Sequence, residues 1–152
     1  MYSAIIIGLL VFAAASSGAL FKPGEWYFNL KKPRWNPPNW AFPVVWSLLY
    51  MCIGYAGWLV WNAAGFGLAM VVWGSQLVLN AGWSWLFFGR RRMDQAFVEV
   101  CFLWVSIALF IVLAWPISKL AAYLFMPYLL WVTIAATLNR TVWRMNPDQV
   151  PS

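Results

Sequence analysis

Apolar stretches long enough to cross a bilayer fill most of this chain, and they constrain its fold more than any other feature. A hydrocarbon core of ~30 Å is crossed by roughly 20 helical residues. Runs of that size lie at 2–20, 43–64, 68–88, 94–115 and 118–143, with Gly65-Phe66-Gly67, Gly89-Arg90-Arg91-Arg92 and Pro116 at breaks between them. The expected fold is all-α: a polytopic membrane protein with a five-transmembrane-helix bundle, one domain over 1–152. A structured loop at 22–42 joins the first two helices. Pro43 suits a first helical turn, where its missing N–H costs nothing. Asp94 reads as the N-cap of the fourth span, and Pro127 should kink the fifth by releasing the carbonyl of Tyr123.

Composition agrees. Only 9% of the residues are charged and 64% are hydrophobic, whereas soluble domains run at about a quarter charged. Thirteen tryptophans suit membrane interfaces and ligand-lined cavities, where the ring is buried and the N–H finds a partner. The chain has no histidine, so the commonest general base, metal ligand and haem axial ligand are all missing. Cys52 and Cys101 lie inside apolar runs and suggest neither a loop disulfide nor half of a metal motif. No acid–base dyad or nucleophile constellation stands out, and no cofactor is expected to be required. The first span is expected to remain in the protein, because Met1-Tyr2-Ser3 lacks the basic segment that a cleaved signal would carry before Ala13-Ala14-Ala15.

The charges give an orientation. Lys22, Lys31, Lys32 and Arg34 fall in the first loop, Arg90, Arg91 and Arg92 in the third connection, and Arg140 and Arg144 at the end of the fifth span. Nine of the ten basic residues thus fall on one side, with Lys119 alone on the other. The positive-inside rule places the first loop and C-terminus in the cytoplasm and the N-terminus outside. Topology accounts for these basic loops, so no nucleic-acid partner is expected.

Polar side chains within spans are functional-site candidates by default. Gln76 and Asn80 share a helix face that Trp83 and Phe87 extend. Gln95, Glu99 and Phe102 share another, as do Trp131, Ala135, Leu138 and Asn139, and, on the second span, Trp46 and Tyr50. Asn80, Glu99 and Asn139 lie nearer the cytoplasmic end than the midplane. Their convergence suggests a pocket there, roofed by the first loop. The plainer reading is that such groups only hydrogen-bond neighbouring helices, and that Glu99 pairs with a loop Lys or Arg. The stretch Trp26 to Trp40, WYFNLKKPRWNPPNW, is too polar and proline-rich to span lipid. Pro33, Pro37 and Pro38 limit its freedom, so Trp26, Trp35 and Trp40 are expected to fold onto the helix ends as a lid. Interfacial anchoring is the alternative.

Together the motifs Trp26-Tyr27, Lys32-Pro33-Arg34-Trp35-Asn36-Pro37-Pro38-Asn39-Trp40, Trp46 with Leu49-Tyr50, Gln76-Leu77 with Asn80 and Trp83, Phe87-Phe88-Gly89, and Pro127-Tyr128-Leu129 through Asn139 resemble the tryptophan-rich sensory protein and translocator protein family (TspO/MBR, peripheral benzodiazepine receptors). The resemblance implies five transmembrane helices, a likeness to bacterial members, frequent homodimers, and a pocket beneath the first loop for porphyrins, haem, sterols and drug-like ligands. By position it implies Trp46, Asn80, Trp83, Trp131, Ala135 and Leu138 as pocket members, with Trp26, Trp35 and Trp40 in the lid. Phe42, Tyr50 and Phe87 complete the candidate ligand-binding set. Two departures stand out: Arg140 occupies the place of a Tyr in the family's sterol pattern, and Gln95 stands where relatives often carry a pocket Trp. The expected function is a receptor, sensor or transporter for tetrapyrroles such as protoporphyrin IX. The alternatives are light-dependent porphyrin breakdown at Trp46 and Trp131, or passive carriage of sterol or another lipid.

Overall fold

The computed structural model describes residues 1–151. Six α-helices follow one another in chain order: α1 (Tyr2–Leu20), the single turn α2 (Glu25–Phe28), α3 (Ala41–Ala64), α4 (Leu68–Ser84), α5 (Met93–Ala114) and α6 (Lys119–Met145). No strand occurs among the described residues. Helices α1, α3, α5 and α6 are each long and apolar enough to cross a membrane. Helix α4 has 17 α-helical residues and continues as a π-helical turn over Trp85–Gly89. The apolar run at 68–88 is therefore one continuous helix whose last turn is underwound.

Element ends follow the local chemistry. Gly65 closes α3 with φ of 67°, a left-handed conformation that glycine adopts without penalty. Ser118 caps α6 by accepting a hydrogen bond from the Ala121 N–H at 3.2 Å, which satisfies one of the free donors of the first turn. The expectation for Asp94 is corrected. The residue before α5 is Arg92, and Asp94 lies inside the first turn. Its carboxylate accepts from Arg92 Nε at 2.9 Å and Nη2 at 2.6 Å, so it is occupied by the neighbouring guanidinium instead of capping amides. Pro43 is the third residue of α3, which begins two residues before the expected start, and α6 runs unbroken past Pro127.

Packing follows the seams that small and branched residues leave open. Helix α5 lies along α4 and α6, α3 lies against α6, and α1 rests on α3 and α4. Only one stripe of α1 is buried, Ile7, Val11 and Ala14, while Ile5, Ile6, Leu9, Leu10 and Phe12 face outward. In lipid this is the expected pattern, because apolar tails solvate an outward leucine as well as a neighbouring helix does. A larger core runs through the helices around Ile53, Trp73, Phe110, Phe125 and Tyr128. A smaller one gathers Tyr27, Leu30, Phe87, Met93, Leu138 and Val142 at the end where the first loop lies.

One contact in the larger core ties α3 to α4. Trp73 donates its indole N–H to the Ile53 carbonyl at 2.9 Å. That approach requires Gly57, where a Cβ would fall 2.5 Å from the Trp73 ring. Gly57→Ala should therefore destabilise the protein by about 1–3 kcal/mol through overpacking. Gly74→Ala, whose Cβ would meet nothing within 4 Å, should be neutral or slightly stabilising. Thermal unfolding of both variants in detergent checks this, and equal midpoints would contradict the close approach.

Candidate ligand-binding site

A polar ladder crosses the bundle beside the seam of α1, α3 and α4. Tyr50 on α3 donates to Asn80 Oδ1 on α4 at 2.7 Å. Asn80 Nδ2 donates to the Tyr128 hydroxyl on α6 at 2.9 Å, and Tyr128 donates in turn to Gln76 Oε1 at 2.9 Å. Gln76, Asn80 and Tyr128 are buried. A hydroxyl or amide costs free energy in such surroundings unless it is paired, so these four residues stabilise one another. The Gln76 Nε2 has no hydrogen-bond partner among the described residues. A second polar junction lies nearer the loop. Trp83 donates to Asn139 Oδ1 at 3.0 Å, and Asn139 Nδ2 donates to the Met93 carbonyl at 2.9 Å, joining α4, α6 and α5.

Above the ladder opens a cavity of about 540 Å³, within the range of small-molecule sites. Its walls are Ala15, Gly18 and Ala19 of α1, Phe42, Trp46 and Tyr50 of α3, and Asn80, Trp83 and Ser84 of α4. Phe88 of the π-turn joins them, and Lys22, Pro23, Tyr27, Phe28 and Asn39 of the loop form the rim. The interior is mostly aromatic. Trp46 lies 5.6 Å from Tyr50 and 6.2 Å, edge-on, from Tyr128, centroid to centroid. The polar groups are few and separated, with Tyr50 and Asn80 at the floor and Lys22 and Asn39 toward the loop. Such a site fits an amphipathic molecule with a broad apolar face.

Of the residues singled out in the sequence, Phe42, Trp46, Tyr50, Asn80 and Trp83 line this cavity. Others support the wall from behind. Phe87 is buried 5.3 Å from Trp83 and 6.0 Å from Trp26. Trp131 meets Phe42 edge-on at 5.6 Å, with its N–H buried and unpartnered. Leu138 belongs to the smaller core, and Ala135 is half-buried on α6 outside the cavity lining. Trp35 and Trp40 depart from the expected lid packing, being 49% and 69% exposed and outside the cavity. The expected convergence of Glu99 with Asn80 and Asn139 is also corrected. Glu99 packs on Gly82, its carboxylate oxygens accept no hydrogen bond, and with Gln95, Phe102 and Trp143 it borders a separate, shallower hollow. Glu99 forms no ion pair with a loop Lys or Arg, the Arg92–Asp94 pair being the one salt bridge among the described residues.

The α1 wall was missed from sequence. Ala15, Gly18 and Ala19 carry no polar or aromatic signal, and only folding shows that they border open space. Tyr27 was read within the loop motif, and the fold adds its role at the rim. Burial raises its phenol above the ordinary value, with Asn36 opposing the shift, so the rim presents a neutral hydroxyl. Lys32 sits 4.6 Å from the centre of that ring.

The comparisons with known proteins bear on a site of this form. The TspO/MBR family matches residues 5–144. The chain belongs to the TspO/MBR family. Among its relatives, Protein CrtK of Rhodobacter capsulatus is 40% identical over 142 residues, covering 91% of this chain and 89% of the relative. The tryptophan-rich sensory protein of Cereibacter sphaeroides is 41% identical over 134 residues, covering 88% and 85%. The human translocator protein is 41% identical over 137 residues, covering 85% and 81%. With its apolar helices, this membership makes the chain an integral membrane protein.

Among the described residues, the first loop of this TspO/MBR protein is hydrogen-bonded to the bundle through one side chain. Asn146, just beyond α6, accepts from the Lys31 N–H at 2.9 Å and donates to the Lys31 carbonyl at 2.8 Å, while also donating to the Val142 carbonyl at 2.8 Å. The amide pairs with the loop backbone much as a neighbouring strand would. Asn146→Ala should speed hydrogen exchange at Lys31 by about 10-fold, the equivalent of roughly one hydrogen bond, with helix content unchanged. Unaltered exchange would show that the loop is held elsewhere.

Proposed function

We propose that this TspO/MBR protein is a membrane receptor or carrier that binds tetrapyrroles in the cavity beneath its first loop. One observation carries the reading: a pocket walled by Trp46, Trp83, Phe42 and Tyr50 has Lys22 on its rim. A porphyrin presents a wide π-face for indole contact and peripheral carboxylates for an ammonium, the same division of surfaces. Without histidine, the chain suits a metal-free porphyrin better than axially ligated haem. Sterols are the secondary ligand class in this reading, although Arg140 replaces the Tyr of the family's sterol pattern and lies 6.0 Å over the Phe97 ring.

In the same reading all five long helices span the bilayer, with the nine-residue basic cluster on the cytoplasmic side. A homodimer would use the outward face of α4, where Gly74 is open and Val78 and Trp85 are exposed.

Protoporphyrin IX titrated into the purified protein should quench tryptophan emission saturably. Trp46→Ala should weaken binding by about 10-fold, or 1.4 kcal/mol, and Lys22→Gln by a smaller factor. Quenching that does not saturate, or that is indifferent to Trp46, would sink the tetrapyrrole reading. Orientation is checked separately. Single cysteines at Asn36 and Arg91, in a variant lacking Cys52 and Cys101, should react only with reagents on the cytoplasmic side. Labelling of both from outside intact cells would reverse the topology.

A further inference from the structure

The first loop has two halves with different surroundings. From Trp26 to Lys31 it is held by protein. Trp26 packs on Phe87 and under the Arg91 guanidinium, 5.7 Å from its ring centre, while Tyr27 and Leu30 enter the smaller core and Lys31 pairs with Asn146. From Pro33 to Trp40 the large side chains turn away. Trp35 and Trp40 belong to neither core and do not line the cavity.

This outer half adjoins the start of α3. Trp40 immediately precedes α3, an apolar span, and the Ala41 N–H donates to the Pro38 carbonyl at 2.9 Å. Trp40 therefore sits at the very start of a helix long and apolar enough to cross a membrane. Pro33, Pro37 and Pro38 restrict the backbone between it and Trp35, and the Asn36 N–H donates to the Pro33 carbonyl at 3.1 Å. Arg34, beside Trp35, is exposed and forms no salt bridge among the described residues. Two amphipathic indoles and a free guanidinium at this height match the headgroup layer, which offers carbonyls, phosphates and a partly apolar environment.

We propose that Pro33 to Trp40 is a membrane anchor. Its Trp35 and Trp40 rings insert among phospholipid headgroups, and Arg34 pairs with a lipid phosphate. The loop is then clamped from two sides, by Asn146 at its inner half and by the bilayer at its outer half. Asn39 and Phe42, which border the cavity, are positioned from the lipid side. This anchoring is independent of what the cavity binds.

The test uses the full-length protein without Cys52 and Cys101, carrying one spin-labelled cysteine at the exposed position Pro38. It is reconstituted without ligand in vesicles of phosphatidylethanolamine and phosphatidylglycerol. Power saturation should show the label accessible to oxygen and shielded from a water-soluble nickel chelate. Adding Trp35→Ser and Trp40→Ser should reverse that preference, and Arg34→Gln alone should raise nickel access in part. Helix content by circular dichroism confirms that each variant is folded. If the double variant does not fold, the label depth in the unaltered loop decides. A label freely reached by nickel in that loop would overturn the proposal, as would an equal depth in a folded protein lacking both indoles.

Discussion

In hydrocarbon there is no water to receive an unpaired amide or hydroxyl, and each one left alone costs free energy. Hydrophobic burial does little to choose between helix partners there, since lipid tails are as apolar as leucine. The few polar side chains inside the spans therefore carry much of the burden of specifying how the helices meet. In this protein they form the ladder from Tyr50 through Asn80 and Tyr128 to Gln76 and the junction of Trp83, Asn139 and Met93. Both bridge three helices, and both use α4. The Tyr50–Asn80 bond ties α4 to α3 at the floor of the cavity.

The cavity follows from that arrangement and from side-chain size. Once α3 and α4 are fixed through the ladder, α1 approaches them with Ala15, Gly18 and Ala19 facing Trp46 and Trp83. Three residues with little or no side chain opposite two indoles leave volume unfilled. The underwound turn at Trp85–Gly89 then brings Phe88 to the cavity and Phe87 behind Trp83. π-turns are often found at functional sites because they redirect side chains without ending a helix. The loop completes the enclosure through Tyr27 and Lys22, and Asn146 holds its inner half in place.

Much of this was legible in the chain because the governing signals are local. Helix lengths follow from apolar runs and from the glycines and prolines that interrupt them, so α1 and the other long helices fall within about two residues of expectation. The shared face of Gln76, Asn80, Trp83 and Phe87 follows from helical periodicity, and the fold uses it as a polar and aromatic seam. Less legible was any property that depends on which helix lies opposite. Glu99 and Asn80 lie at similar depths, yet Gly82 draws the carboxyl of Glu99 to a different side of α4. Trp131 has the residue type and level of a pocket member, but Phe42 stands between it and the cavity role assigned to it.

The sequence by itself determined the all-α class, the apolar spans, the basic clustering at one end and the presence of a proline-stiffened aromatic loop. These depend on composition and on periodicity along one helix. Tertiary structure decided which small residues pack and which border a void, and which tryptophans line a cavity. It also decided that Asn146, distant in sequence, would hold the loop at Lys31. Those outcomes depend on the relative rotation of neighbouring helices, a choice made by hydrogen bonds and contacts between residues many positions apart.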